Sequence, residues 1–286
     1  MKYVSPSTIE EATALLADSQ SAKVFAGATD VIPQLRAGRP APEVLVDLKG
    51  IKRLTSVSSD DAKWTVGAAT PTVRLTRDSA FSAEFPGLSE AAGLIGSDQI
   101  QSRSSLGGNL CNGSPAADSV PALVVNGARA VVVGSAGTRT VPVADIVTGP
   151  GQTSLGPDEI IVEFELDRMP ANTADAYLRL IPRTEMDIAV VGVGVRISLD
   201  GAGNCAEAVI ALGAVAATVV RVSDAETALA GQPINDETLA VVAAAASAAC
   251  NPIDDKRGTI EYRRQVAGVL AKRAVLAAAQ RAGGAA

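Results

Sequence analysis

Two short glycine-centred segments carry the residue types that could hold a phosphorylated ligand. The first, Val24-Phe25-Ala26-Gly27-Ala28-Thr29-Asp30-Val31, is an apolar run that gives way to small and polar residues. The second, Ser104-Ser105-Leu106-Gly107-Gly108-Asn109-Leu110, is followed by Ser114-Pro115-Ala116-Ala117-Asp118. Residues without bulky side chains let backbone N–H groups approach a diphosphate closely. Successive amides in a turn, or at the start of a helix, then form a concave anion site. Thr29, Ser105 and Asn109 can add side-chain donors, and Asp118 can accept hydrogen bonds from ribose or ribityl hydroxyls. Either loop alone reads equally well as a turn that needs one residue at positive φ.

Better-known nucleotide motifs do not fit. Gly192-Val193-Gly194 is followed by Val195, Arg196 and Ile197, so the third glycine of a dinucleotide fingerprint is missing. Gly108 to Gly113 has the glycine spacing of a P-loop, but Ser114-Pro115 replaces its lysine and hydroxyl residue. Histidine is absent altogether, which excludes a Ser-His-Asp triad, a Cys-His pair, a His-ligated metal and a histidyl-linked flavin. Cys111, Cys205 and Cys250 are too few and too scattered for a four-thiolate iron–sulfur cluster. Redox chemistry on this chain therefore has to rest on a bound organic cofactor.

The elements that would position the two loops follow from periodicity. Ser7-Thr8-Ile9-Glu10 has the form of a capping box with Ser7 as N-cap, and Ile9, Ala12, Leu15 and Leu16 continue it as a helix. Lys23 to Ala26 and Leu45 to Leu48 read as short strands on either side of a helix from Val31 to about Ala37, a small α/β unit. From about Ser56 the expected strands are Trp64–Ala69, Ala128–Gly134, Arg139–Val143 and Ile161–Leu166, with helices over Phe85–Ile95 and Ser119–Val125. Val162, Phe164 and Leu166 alternate with Glu163 and Glu165 as in a half-buried strand. Pro170 to Thr173 is a candidate boundary. Two strands (Ala189–Ser198 and Ala206–Gly213) and two Ala-rich helices (Asp236–Ala249 and Thr259–Arg281) follow it, with a frayed tail from Gly283 to Ala286.

A net charge of −6 argues against a nucleic-acid partner, which would require a clustered basic excess. The basic residues between Lys256 and Arg281 alternate with apolar ones at helical spacing and read as a solvated helix face. No apolar run approaches the ~20 residues of a membrane span. The N-terminal residues lack a secretory pattern, and three distant cysteines suggest no disulfide framework, so a reducing, cytoplasmic location is expected.

Taken together, the two loops, Asp118 nine residues beyond Asn109, the opening Pro6-Ser7-Thr8-Ile9-Glu10-Glu11-Ala12, the Val46-Asp47-Leu48 strand, and the late Asp255-Lys256-Arg257 and Glu261-Tyr262-Arg263 resemble a known family. It is the FAD-binding medium subunit of the xanthine dehydrogenase and carbon monoxide dehydrogenase family of molybdenum hydroxylases. The likeness covers essentially the whole chain.

The resemblance implies an α+β fold: a two-part FAD-binding domain of the vanillyl-alcohol-oxidase (PCMH) type, here 1–55 and 56–173. A small C-terminal α+β domain with an antiparallel sheet and helices, 174–286, completes it. It implies that Val24 to Val31 and Ser105 to Asn109 hold the FAD diphosphate. Ile95 and Ile161 would pack against the cofactor, Asp118 would bond its hydroxyls, and Arg179 would stand where relatives often carry a lysine. Ile188 would stand where some relatives place an aromatic over the flavin. Catalytic and metal-ligating residues are not expected on this chain.

The expected partners are a small chain with two [2Fe–2S] clusters and a large chain with a molybdenum–pterin cofactor, in a dimer of heterotrimers. Electrons would pass from molybdenum through the clusters to FAD and on to an external acceptor. The alternatives are a self-sufficient, non-covalent flavin oxidase or reductase of the same superfamily, and a flavin-free module that keeps only the fold.

Single residues are read more plainly. Ala28 replaces a second glycine of many relatives, a modest restriction of the backbone. Arg179 is either a surface cation at a strand edge or a fixed charge near the reduced flavin. Asp187 should cap nearby amides, Cys111 should fill a small buried space, and Trp64 and Tyr262 should be packing residues.

Overall fold

A computed structural model describes residues 1–19 and 21–283, so the end of the expected frayed tail lies outside the described residues. The chain opens with β1 (Lys2–Val4), α1 (Ile9–Ala17), β2 (Ala22–Phe25), α2 (Val31–Arg36) and β3 (Val44–Asp47). The three strands form a parallel sheet of order β1-β3-β2, which requires the helical crossovers that α1 and α2 supply. Helix α1 starts one residue later than Ser7 would set it. Thr8 is the N-cap and accepts from Glu11 N, and Glu11 reaches back to the Ser7 amide and hydroxyl. Ala12 and Leu16 of α1 are buried with Val46, Leu48, Ile51 and Leu54, and with Ile160 and Val162 from much later in the chain.

The next unit contains β4 (Val57–Ser59), β5 (Lys63–Gly67), α3 (Thr72–Arg77), α4 (Ser79–Glu84), α5 (Pro86–Gly93), α6 (Asp98–Gln101), α7 (Leu106–Cys111) and α8 (Ser119–Val125). It continues through β6 (Arg129–Gly134), β7 (Gly137–Pro142), the short pair β8 (Val147–Gly149) and β9 (Gln152–Thr153), and β10 (Ile160–Asp167). Its five-stranded sheet has the order β4-β5-β10-β6-β7 and is antiparallel throughout. Trp64 lies edge-on to Phe81 with centroids 5.3 Å apart, and its indole N–H donates to Glu84 at 2.8 Å.

Strand β10 departs from the simple alternation expected of it. A bulge between Ile161 and Glu163 inverts the side-chain parity. Phe164 and Leu166 therefore face the core beneath the helices, whereas Val162 faces the first unit with Ile160. Both faces of β10 are covered rather than one. Glu163 is buried because Arg53 grips it with two bonds of 2.9 and 2.6 Å.

The last unit has a four-stranded antiparallel sheet, β11 (Thr173–Leu180), β12 (Val191–Leu199), β13 (Cys205–Gly213) and β14 (Val220–Arg221), in that order. Helices α9 (Ser223–Leu229), α10 (Asp236–Ala249) and α11 (Ile260–Ala282) cover it. Strand β11 was not expected, since Asp175 and Arg179 interrupt its apolar pattern. Both are buried and paired. Asp175 accepts from the Gly87 and Leu88 amides at 2.8 and 2.9 Å and caps the start of α5 from across the unit boundary. The Gly192-Val193-Gly194 segment lies in β12. A Cβ on Gly192 would collide with the Tyr177 hydroxyl, and one on Gly194 would come within 2.8 Å of the Pro121 backbone, so these glycines serve close packing. Among the described residues, no helix is long and apolar enough to cross a membrane.

Candidate functional site

A cleft of about 510 Å³ opens between the first unit and the five-stranded unit. Both glycine loops line it. From the first come Val24, Phe25, Ala26, Gly27, Ala28, Thr29, Asp30 and Val31, and from the second Ser105, Gly107, Gly108 and Asn109. Ile95, Ile160 and Ile161 add apolar wall, as do Leu48, Leu54 and Leu155.

The first loop connects β2 to α2 and holds its donors open. The N–H groups of Gly27, Ala28, Thr29 and Asp30 bond to no acceptor among the described residues. The Ala28 and Asp30 carbonyls accept from Ile32 and Gln34 and start the helix. Ala28 has φ 61°, in the left-handed region that a Cβ disfavours, so the glycine of many relatives would fit this position better. Gly27 presses so closely on the Arg103 carbonyl that a side chain has no room there. The Asp30 carboxyl faces the cleft, and the loss of water there pushes its pKa up.

The second loop is wired differently. Gly107 N donates to the Ala68 carbonyl at 3.0 Å, Gly108 N to the Ser105 hydroxyl at 3.1 Å and Asn109 N to the Ser105 carbonyl at 2.9 Å. Ser105 is the N-cap of α7. The Asn109 side-chain oxygen accepts from Ser119 N at 3.3 Å and Ser119 Oγ at 2.7 Å, tying the cleft to the start of α8. A Cβ on Gly107 would come within 2.5 Å of Ala68 O. Leu106 points into the core and is not part of the wall.

Asp118, Arg179 and Ile188 also stand outside the cleft wall. Asp118 is buried, its two oxygens receiving the Tyr177 hydroxyl at 2.8 Å and an Arg179 N–H at 2.7 Å. Burial pushes its carboxyl up to about 6 although Arg179 and Tyr177 act the other way. Tyr177 is raised well above its ordinary value by burial and by the Asp118 charge. Arg179 is no surface cation. Its side chain is 5 % exposed and its Nε has no partner among the described residues. Strand β11 carries it inward because the buried Asp118 supplies the countercharge. Ile188 lies on the exposed loop between β11 and β12 and is 49 % exposed. In that loop Asp187 accepts from the Ile188 amide and pairs with Arg183 and Arg257.

Cys111 is not a buried filler: it is exposed and lines the cleft. Several wall residues were missed by sequence reasoning. Gln34 donates to Asn112 at 2.9 Å, joining α2 to the end of α7 across the cleft, and Pro150-Gly151 closes one end. The Gly149-Pro150-Gly151 cluster was a readable turn signal. Gln34 and Asn112 carried none.

With open amides and apolar walls, the cleft is suited to binding and orienting a phosphorylated cofactor. Residues 1–168 match the family described as FAD binding domain in molybdopterin dehydrogenase, and residues 176–278 match the CO dehydrogenase flavoprotein C-terminal domain. The chain is 32% identical over 284 residues to the xanthine dehydrogenase FAD-binding subunit of Escherichia coli O157:H7, covering 99% of this chain and 97% of that one. It is 32% identical over 278 residues to the carbon monoxide dehydrogenase medium chain of Hydrogenophaga pseudoflava, covering 97% and 96%.

Among solved structures, it is similar to a chain of the Hydrogenophaga pseudoflava carbon monoxide dehydrogenase lacking the Mo-pyranopterin moiety (TM-score 0.94, 33% identity, 98% of each chain). It is also similar to a chain of quinoline 2-oxidoreductase from Pseudomonas putida 86 (TM-score 0.92, 28% identity, 99% and 98%). Fold and sequence agree over nearly the full length: the chain belongs to the FAD-binding medium subunits of the xanthine dehydrogenase and carbon monoxide dehydrogenase family, and is an oxidoreductase component.

Proposed function

We propose that this chain is the electron-transfer subunit of a molybdenum hydroxylase. In this reading it holds FAD non-covalently, takes electrons from the two [2Fe–2S] clusters of a small partner chain and delivers them to an external acceptor. Substrate is oxidised on a large molybdenum–pterin chain, the assembly is a dimer of heterotrimers, and its location is the cytoplasm, where the free Cys111, Cys205 and Cys250 stay reduced. The two-part FAD domain is of the vanillyl-alcohol-oxidase type, divided as 1–55 and 56–173, with 174–286 as the third unit.

The observation that carries the reading is the run of four unengaged amides, Gly27 to Asp30, on one lip of a cleft of about 510 Å³. Such amides suit a diphosphate. The apolar wall of Ile95, Leu155 and Ile161 suits a ring system. FAD supplies one- and two-electron transfer when bound, and this chain's residues bind it, orient it and exclude water. Asp118 and Arg179 act from behind the wall, where their paired charges hold the segment beyond the second loop. A flavin reduction potential unchanged in Arg179→Ala would confine that pair to this structural part.

Gentle purification of the tagged chain from its host tests the reading. FAD, iron and molybdenum with two companion chains are expected. FAD on a solitary, active chain would mean a self-sufficient flavin enzyme. A stable chain unable to bind added FAD would overturn the cofactor assignment.

A further inference from the structure

The last residue before the first glycine is held by Lys49, which Asp47 and Tyr3 fix in turn, and none of these three lines the cleft. Lys49 Nζ donates to the Ala26 carbonyl at 2.7 Å and to Asp47 Oδ1 at 2.6 Å, and lies 4.5 Å from the centre of the Phe25 ring. Asp47 is fixed in turn. Its Oδ1 accepts the Lys49 amide at 3.0 Å, and its Oδ2 accepts the Tyr3 hydroxyl at 2.7 Å. A chain of bonds thus runs from β1 through β3 to Lys49, in the turn after β3, and ends on one peptide oxygen. Lys49 itself is absent from the cleft wall, whereas Ala26 and Gly27 are part of it.

A trans peptide points its C=O and the next N–H in opposite directions. Fixing the Ala26 oxygen on the side away from the cleft therefore turns the Gly27 N–H toward it. On its other side Gly27 abuts the Arg103 backbone, so the peptide has little freedom to rotate back. Gly27 N–H is the first of the four open amides, and Ala28 N–H follows it directly in the same loop.

We propose that Lys49 is a positioning residue for the cofactor: through the Ala26 carbonyl it orients the first loop's amides toward the FAD diphosphate. This rests on the reading of the cleft as an FAD site. Lys49 needs no contact with the ligand. It acts as a fixed charge-assisted donor, a role that a neutral side chain of similar length cannot fill.

The test compares the full-length wild-type chain with Lys49→Met, Lys49→Arg and Tyr3→Phe, each stripped of flavin and titrated with FAD and with ADP. Thermal unfolding of each apo chain is recorded alongside. Lys49→Met is expected to weaken both ligands about tenfold. Lys49→Arg, which keeps a charged donor, is expected to recover most of the loss. Tyr3→Phe removes a bond of the same cluster but leaves Lys49 on Ala26, and is expected to keep wild-type affinity at whatever cost in stability. If Lys49→Met does not fold, Lys49→Gln replaces it in the same comparison.

Unchanged affinity in the neutral variant, or affinity losses that simply follow the fall in unfolding temperature in Tyr3→Phe as well, would overturn the proposal. A wild-type chain that binds neither FAD nor ADP would remove the FAD reading and the proposal with it, and is recognised before any variant is made.

Discussion

The two glycine loops look alike as strings of residues and differ in what their backbones do. In the first, the amides of residues 27–30 have no acceptor among the described residues. In the second, the amides of Gly107, Gly108 and Asn109 are bonded within the protein, and Asn109 is fastened to Ser119. The first is a lip of open donors. The second is a buckle that fastens the cleft to α8. Glycine therefore serves two ends on the two sides of one cleft: open amides on one, close backbone contact on the other.

Glycine substitutions press hardest on this contrast. Gly27→Ala drives a methyl into the Arg103 carbonyl and disturbs the open amides together, so a loss of about 3 kcal/mol and of measurable FAD binding is expected. Gly107→Ala meets Ala68 O at 2.5 Å and should cost about 2 kcal/mol, with a smaller loss of FAD affinity for each unit of stability lost. Urea unfolding and FAD titration of both variants check the ranking, and the reverse order for FAD would break the distinction.

Acidity probes Asp118, the residue next to the Ser119 to which the buckle is fastened. The Asp118 carboxyl lies at about 6 in the folded chain, against about 4 for an ordinary aspartate. The unfolded chain gives up this proton first as pH rises. The stability Asp118 contributes is therefore complete below about pH 4, is lost as pH climbs through about 6, and is level above that. Wild type should be more stable at pH 5 than at pH 7 by about 1 kcal/mol from this group. Asp175, also pushed up to about 6 by burial, adds a contribution of the same sign. Asp118→Asn should flatten part of the slope, and a slope identical to wild type would show that Asp118 does not titrate in this range.

Two smaller effects separate the loops further. Ser105→Ala removes the cap of α7 and is expected to cost about 1 kcal/mol, measured by urea unfolding. If the second loop is chiefly a fastening, FAD affinity should fall no more than the stability does. Ala28→Gly relieves the left-handed strain but frees the unfolded chain, leaving a net gain within about 0.5 kcal/mol. A destabilisation beyond about 1 kcal/mol would mean that the Ala28 methyl makes contacts outweighing its strain.

How much could be read beforehand follows the range over which each feature is determined. The first loop, the helix after it and α8 were legible because their signals lie within a few neighbouring residues. Strand β11 was not, since Asp175 and Arg179 are tolerable there only through Gly87, Leu88 and Asp118, which lie far away in sequence. The inverted parity of β10 escaped for a related reason: a bulge depends on the register of β6, and nothing within Ile160–Asp167 announces it. The second loop was read as a twin of the first because composition records which amides exist and not where their bonds go. Lys49 carried no local signal either, as its meaning arises only once β2 and the turn after β3 are side by side.

The solitary tryptophan has a use in the laboratory. Trp64 is buried against Phe81 on β5, and no indole exists in the α9–α11 unit. Its ultraviolet emission is therefore a local reporter on the five-stranded unit, whereas far-ultraviolet dichroism averages over every helix, α10 and α11 included. Melting curves that coincide in the two signals would mean that the units unfold together, locked by Asp175 on the start of α5. Curves that separate would show the C-terminal helices letting go at their own temperature, without a dye or label added to the chain.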